Sequence, residues 1–504
     1  VEGQVLTETP AERPRSDARA PRTRLPDWHG LLYPEFLWSV LACIVLAAIS
    51  AAVLPTVPSY DPWAWISWGR EVTDPHLSFA ISGGPSWKPL PVVFTTIWAL
   101  FGSTAAPTLW VITARAGGLL GVVAAYLLAS RLIRGPRWAK VAAGLIAGAG
   151  IVITQAWWDE MFRGTSEPML IATALWAVLA HLDGRRGWAF SLGVATSLIR
   201  PEAWPLIIVY AGWLWFKQPR LRVWIVLGLL SIPVFWFAPP WIGSGQPFLA
   251  AVHAQEYNGD LGKHPLFTVL GRGVDIQLLP VLVAGMVAAV FAWFDKPRDW
   301  LLLSLAGATA VWWVIVVGMT LDGYPGLERF YLPAAGMTCV LAGVGIVRLA
   351  QLGGSLVPAG RTAVAVGLTA VLVAITIPWV GGRINQASAE YHTASQAVTR
   401  LDQMTAAVAA VGGHAGVFPC KSSFAAVNHS VQTALAWKLH VTLGRVGTSM
   451  RHQGVMFVGP HDSIDGIAPP IDHRLTQQQF LAQVGAWKMY RVTAPGADTR
   501  CVGR

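Results

Sequence analysis

Charge is scarce in this chain. Asp, Glu, Lys and Arg make up 13% of its 504 residues, about half the share found in ordinary soluble domains. Beside a hydrophobic content of 54%, that shortage argues against a soluble enzyme and predicts an integral membrane protein. Cysteine is scarce too. Cys43, Cys339, Cys420 and Cys501 show no Cys-x-x-Cys or Cys/His spacing of the zinc type. Walker, dinucleotide-binding and EF-hand motifs are missing, and no internal repeat is found. No cofactor and no metal are therefore expected. The net charge of +10 would suggest nucleic acid in a soluble protein, but its distribution fits a membrane rule better, so no nucleic-acid partner is expected.

What is present is a series of apolar runs. Spans are expected at 35–55, 107–131, 139–156, 167–181, 187–199, 203–216, 223–238, 277–294, 299–319, 331–349 and 363–380. The pieces 187–199 and 203–216 are short, and could instead form one re-entrant hairpin around Arg200-Pro201-Glu202. A shorter run at 91–102 reads as a helix in, or dipping into, the interface. The 26 tryptophans suit a protein with much headgroup-level surface. Residues 1–34 are Arg-rich, lack an apolar signal core, and read as a disordered cytoplasmic tail. Lys and Arg then recur in alternate loops, at 131–140, 185–186, 217–222, 296–298 and 348–361. By the positive-inside rule, the sequence predicts eleven spans, a cytoplasmic N-terminus and an extracytoplasmic C-terminus. Residues 381–504 lose the long apolar runs and predict a small extracytoplasmic α/β domain. Its expected elements are helices at 387–411, 423–438 and 476–486 and strands at 415–419, 454–458 and 487–493. Cys420 and Cys501 could form a disulfide there.

Under that topology the outer loops collect acids and bases together. Asp61, Arg70, Glu71 and Lys88 lie in the first. Asp159, Glu160, Arg163 and Glu167 follow in WWDEMFRGTSEP, and Arg200 and Glu202 in LIRPEAWP. His253 and Glu256 lie in AVHAQEYNGD, and Glu328, Arg329 and Tyr331 in LERFYLP. Ionisable groups near spans are costly, so they are usually paired or functional. A cluster at one face suggests a cavity opening outward. In SYDPWAW, Asp61 before Pro62 reads as an N-cap opening a helix over 62–72. Trp65, Trp68 and Val72 share one face, which predicts an amphipathic helix lying in the interface. Asp61 then either caps that helix, or also projects into the cavity as a general base.

At these residues the chain resembles the type-C glycosyltransferases (GT-C), multi-span enzymes that use lipid-linked sugars. Their catalytic acid follows the first span, as Asp61 does. GGPSWKPLPVVFTTIWALFGS is similar to their Pro-rich loop, interfacial helix and turn, with Lys88-Pro89 at a position where relatives carry His or Lys before Pro. LERFYLP is similar to their Arg-aromatic signature, and RGTSEP and LIRPEAWP to outer-end signatures of middle spans. The resemblance covers roughly residues 35–380 and implies a polytopic α-helical membrane protein with the GT-C arrangement. A single acid at the opening site matches the metal-independent members that use polyprenyl-phosphate sugars. The Ala-, Gly-, Val- and Arg-rich composition is actinobacterial-like.

The function so implied is transfer of a hexose or pentose from a polyprenyl-phosphate donor to a hydroxyl of a glycan, lipid or protein. Asp61 would be the general base of an inverting displacement. Arg200, Arg329, Lys88 and Arg163 are candidates for the donor phosphate, because arginine's fork matches phosphate geometry. Glu167 and Glu202 either pair with Arg163 and Arg200 or touch sugar. His253 and Glu256 are acceptor-side candidates. Tyr331, Trp63 and Trp87 either stack on sugar or anchor the protein in membrane lipids. The loops 72–88 and 239–276 could be lids. Two alternatives stand beside this: a flippase or transporter of a lipid-linked sugar, and a non-catalytic envelope-assembly protein. A phosphate or phosphoethanolamine transferase lacks its usual nucleophile and metal constellation here.

Overall fold

Ten of the eleven apolar runs each fold largely as one helix in the computed structural model, which describes residues 34–81, 83–256, 261–357, 359–460 and 467–496. The run 363–380 is divided between helices Arg361–Ala374 and Ile377–Ala410, bent by 47°. Among the described residues, five helices are long and apolar enough to cross a membrane, and eight spans result if each of three bent pairs counts as one. The difference from eleven lies in Glu167–Leu182, Arg186–Ile199 and Trp204–Lys217, of 16, 14 and 14 residues. At 1.5 Å per residue these reach about 21–24 Å, short of a hydrocarbon core of about 30 Å. The chain is a multi-pass membrane protein.

Helix Leu332–Ser355 is the pillar of the bundle, buried along most of its length. Small residues let its neighbours come close, the usual device where lipid supplies no hydrophobic drive between helices. A Cβ on Gly343 would sit 2.3 Å from the Ala143 carbonyl oxygen, and one on Gly345 2.1 Å from that of Ala284.

Helix Ile377–Ala410 carries the chain into the C-terminal domain. Its five strands are β1 (Phe424–Ala426), β2 (Val446–Gly447), β3 (Gly454–Val458), β4 (Gln477–Val484) and β5 (Trp487–Thr493), in the order β2-β1-β3-β5-β4. β1 runs parallel to β2 and β3, while β5 is antiparallel to β3 and β4. The strands expected at 454–458 and 487–493 are present. Three expectations fail. Residues 415–419 fall largely in the short helix Gly413–Val417. The helix expected from 423 begins only at Gln432, after β1. The helix expected at 476–486 is β4, because QQQFLAQV has no apolar helical stripe and pairs with β5 across a turn at Gly485 (φ +56°). Cys43 and Cys339 are free thiols and Cys420 is disulfide-bonded. Cys501 and residues 1–33 lie outside the described residues.

Candidate active site

SYDPWAWISWGREVT forms the helix Tyr60–Thr73, with Ser59 at the N-cap position. Asp61 therefore lies in the first turn rather than at the cap. A carboxylate there is favoured by the positive end of the helix, and Pro62 removes an N–H that would have no helical partner. The expected lipid-facing stripe fails more plainly, because every residue from Pro62 to Glu71 is buried. Trp65 packs edge-on against Trp110 with centroids 5.6 Å apart, and Trp68 lies 5.4 Å from Trp87. Only Val72 of the expected apolar face is exposed. Periodicity finds one apolar face, but it cannot show that other elements cover the rest. Helix Pro89–Ala99 covers one flank, where Gly69 leaves room for the Thr95 backbone. The C-terminal domain covers another. Arg70 donates to the Trp437 and Val441 carbonyls at 3.0 Å each, with its guanidinium 4.2 Å from the Trp437 ring centre.

The charged residues converge at this end of the bundle. Arg329 donates from Nη2 to Oδ2 of Asp61 at 3.0 Å. Behind them, Lys88 Nζ reaches Glu167 Oε1 at 3.0 Å and Ser166 Oγ at 2.8 Å. Arg200 donates to the same Glu167 oxygen, and at 3.1 Å to Glu202 Oε1. Phe330 lies under the Arg200 guanidinium, 4.2 Å away. Three bases and three acids thus close a neutral shell, in which Lys88, Glu167, Arg200 and Glu202 are all buried. Burial pushes the Lys88 ammonium down, and Arg200 and Arg329 push the same way, against Glu167 and Asp61. The Nε atoms of Arg200 and Arg329 are buried with no hydrogen-bond partner. That leaves donors directed at no protein group, which is costly in a closed core.

The remaining candidates separate. Arg163 pairs with Asp159 at 2.6 Å, not with Glu167, because Lys88 and Arg200 already hold Glu167. Tyr331 is no sugar platform. Its ring is fully buried against Trp313, 4.8 Å away, and does not reach the cavity. Trp87 is likewise a core residue, donating to the Phe235 carbonyl at 3.0 Å. Trp63 does line the cavity, at its edge against Trp437.

That cavity, about 1540 Å³, is lined by Asp61, Arg329, Lys88, Arg200, Glu202 and Arg163 and by His253 and Glu256. Its apolar wall includes Trp204, Trp236, Phe237 and Phe248. The expected loop 239–276 is largely helical, and the loop before Pro89 meets its helix Leu249–Glu256 at the cavity wall: Ser86 donates to the Ala250 carbonyl at 2.8 Å, and His253 Nδ1 lies 3.2 Å from the Pro85 carbonyl oxygen. The sequence reading missed the side that the C-terminal domain supplies. Asn428, His429, Gln432, Thr448, Ser449 and Arg451 also line the cavity. They carry no motif, and only tertiary contact brings them there. Arg115 was missed as well. It sits inside an apolar run, yet ties the first loop by donating to the Met161 carbonyl (3.0 Å), Ser50 Oγ (3.2 Å) and the Pro55 carbonyl (2.5 Å). Among the described residues no cluster of three or more His, Cys, Asp or Glu could hold a metal ion.

No protein-family model and no curated protein sequence matches the chain. Solved structures do. ArnT from Cupriavidus metallidurans bound to undecaprenyl phosphate superposes with a TM-score of 0.55 at 14% identity, over 92% of this chain and 98% of that one. The apo state of the same protein gives 0.51 at 13% identity, over 91% and 98%. An oligosaccharyltransferase from Archaeoglobus fulgidus aligns more loosely, at 0.43 and 12% identity, over 81% of this chain and 64% of that one. Coverage of 92% takes in much of the C-terminal domain, for which the sequence offered no parallel. Together with the arrangement around Asp61, the ArnT likeness gives this chain the GT-C fold.

Proposed function

We propose that the chain is a membrane glycosyltransferase that uses a polyprenyl-phosphate sugar as donor and glycosylates an acceptor hydroxyl outside the cytoplasmic membrane. The observation that carries this reading is Asp61, held by Arg329 on the wall of a large cavity that combines an aromatic apolar side with a buried shell of cations. ArnT, which has the same fold, is known with undecaprenyl phosphate bound. Here the donor's tail would run along Trp204, Trp236 and Phe237, with its phosphate at Arg329 and Arg200. Their partnerless Nε atoms supply donors for it.

The acceptor oxygen attacks the anomeric carbon as the bond from that carbon to the phosphate oxygen breaks. Its proton passes to Asp61, and the electron pair leaves with polyprenyl phosphate. Inversion follows from a single displacement. A phosphate that draws Arg329 away also frees the Asp61 carboxylate to take that proton. Glu167 ties Lys88 and Arg200 in place, so Arg200 offers the phosphate only its free Nε while Lys88 sets the local potential, and Arg329 is the cation best placed to change partners. With all eleven apolar helices counted as crossings, a cytoplasmic N-terminus puts the cavity and C-terminal domain on the extracytoplasmic side.

The test is release of polyprenyl phosphate by purified protein supplied with a panel of polyprenyl-phosphate sugars and envelope acceptors. Activity with one donor that falls in Asp61→Asn supports the reading. Equal activity in a folded Asp61→Asn protein removes Asp61 as the base.

A further inference from the structure

The C-terminal domain supplies part of the cavity wall, and the sheet topology explains which part. β1 lies between β2 and β3, all three parallel. From β1 the chain runs through helix Gln432–Lys438 to β2 on one side, then returns past β1 to β3 on the other. Such a reversal opens a crevice at the carboxyl ends of the strands, where open α/β sheets take ligands. The loops leaving those ends carry Asn428, His429 and Ser430 after β1, and Thr448 and Ser449 after β2. These residues line the same cavity as Asp61. We infer that this crevice is the acceptor subsite and that the acceptor it takes is a carbohydrate. The inference rests on the transferase reading above.

The chemistry of the crevice favours a sugar. Thr448 and Ser449 carry neutral hydroxyls that can both donate and accept, as vicinal hydroxyls require. Asn428, bonded to Ser430 and to the Ile467 carbonyl, keeps an N–H donor, and the Ser430 hydroxyl keeps acceptor capacity. The loop is pre-organised: Asn428 Oδ1 accepts from the Ser430 N–H at 3.0 Å and its Oγ at 2.8 Å. A flat surface sits beside it. The Tyr60 ring stacks on His429, centroids 4.2 Å apart and 29° between planes. The Tyr60 hydroxyl donates to Gln432 Oε1 at 3.1 Å, and Thr433 Oγ1 donates to the Tyr60 carbonyl at 2.9 Å. The C-terminal domain thus fixes the residue next to Asp61, and a sugar bound in the crevice is placed beside the base. An extended peptide finds less to hold it. The sheet edge at the cavity, β2, is two residues long, too short to pair with an added strand. The longer edge, β4, contributes nothing to the cavity wall.

The experiment uses the full-length protein in nanodiscs. Short oligosaccharides of mannose, arabinose, galactose and glucose are titrated by saturation-transfer NMR, and undecaprenyl phosphate binding is measured on the same preparation. At least one oligosaccharide is expected to bind, and Ser449→Trp, which fills the crevice, to weaken it by about tenfold or more. Thr448→Ala is the milder variant, expected to weaken binding about threefold with an unchanged thermal midpoint. That separates loss of contact from misfolding. Absence of sugar binding in protein that binds undecaprenyl phosphate would overturn the carbohydrate subsite and leave the transferase reading standing. So would sugar binding indifferent to both variants, or a peptide or lipid bound at the crevice instead. Sugar binding without undecaprenyl phosphate binding would keep the crevice and remove the donor assignment. Failure to bind either overturns both.

Discussion

Ion pairs occur at both ends of the helix bundle, but they are built differently. At the cavity end, Lys88, Arg200, Glu167 and Glu202 interlock with side chains 8% exposed or less. Helix Ala105–Leu132 carries Arg115 near the cavity and Arg131 sixteen residues on, about 24 Å away. There Arg131 meets Asp183 at 2.5 Å with side chains 38% and 28% exposed. On the pillar helix, Arg348 binds Asp295 at 2.8 Å and Asp299 at 3.2 Å, and Arg134 lies 3.7 Å from Asp299. Arg131–Asp183 is an exposed pair of little cost and little gain, whereas the side chains of Arg348 and Asp299 are only 10% and 11% exposed, so burial is not confined to the cavity end. A buried shell must overcome a large desolvation penalty, so stapling alone is a poor reason to keep one. What sets the cavity end apart is the partnerless Nε atoms of Arg200 and Arg329, in line with the phosphate role proposed for them.

The sharpest way to break that comparison is at Asp61. Asp61→Asn is expected to lower transfer by about 10²-fold or more, the scale of a lost general base. Donor binding should change little, since the substitution keeps the shape, while the thermal midpoint falls modestly because Arg329 loses its carboxylate partner. Purified wild type and variant, assayed for polyprenyl phosphate release, decide it. Next comes Glu167→Gln. It leaves Lys88 and Arg200 facing each other without their shared carboxylate, and breaking a buried pair in this way costs roughly 3–5 kcal/mol. A thermal midpoint within a degree or two of wild type would show that the shell is hydrated in the membrane and less constrained than its burial implies.

A third prediction concerns Glu71, on the helix that begins at Tyr60. Its Oε2 accepts from the Ala80 N–H at 3.1 Å, while Oε1 is buried without a partner. Burial raises its carboxyl from 4.5 to about 7, against the pull of the Ala80 N–H and Arg70. A raised acid keeps its proton in the folded protein while the unfolded chain has lost it. Stability is therefore full below 4.5, falls as pH rises towards about 7, and is level above. Hydrogen exchange in residues 74–81 and at the contact of this helix with the C-terminal domain should be about tenfold faster at pH 8 than at pH 5, beyond the intrinsic pH effect. Glu71→Gln should remove the difference.

How far the sequence could be read follows the same division. Apolar runs depend on local composition, so all eleven became helical, with ends shifted by up to six residues and the run 363–380 broken by a 47° bend. The acids and bases were legible as a set, because charge near a span is rare enough to be noticed. Which base meets which acid was legible only for Arg200 and Glu202, two residues apart. Glu167 was read against Arg163, four residues away in the chain. It meets Lys88 and Arg200, from two other segments, and the local partner of Arg163 is Asp159. The tryptophans of the first loop were misread for a related reason. An indole is equally at home in an interface and a core, and only the covering elements decide. His429, Thr448 and Ser449 were invisible because strand-end loops gain meaning from topology, and β1 and β2 are three and two residues long.

The smallest expected effect tests whether the two ends differ in kind. Arg131→Ala removes one exposed pair. By the measured worth of such pairs its cost is within about 1 kcal/mol, and high salt should already have removed much of that in the wild type. Transfer activity should be unchanged, because about 24 Å of helix separates Arg131 from the cavity. Arg329→Lys at the other end keeps the charge but loses the planar fork. It should weaken undecaprenyl phosphate binding with little change in thermal midpoint, since Lys can still approach Asp61. If both variants lowered stability equally and neither affected binding, the buried and exposed pairs would be staples of one kind. If binding fell in Arg329→Lys alone, the buried donors would be marked as ligand-directed, which is the distinction that their unpartnered Nε atoms already suggest.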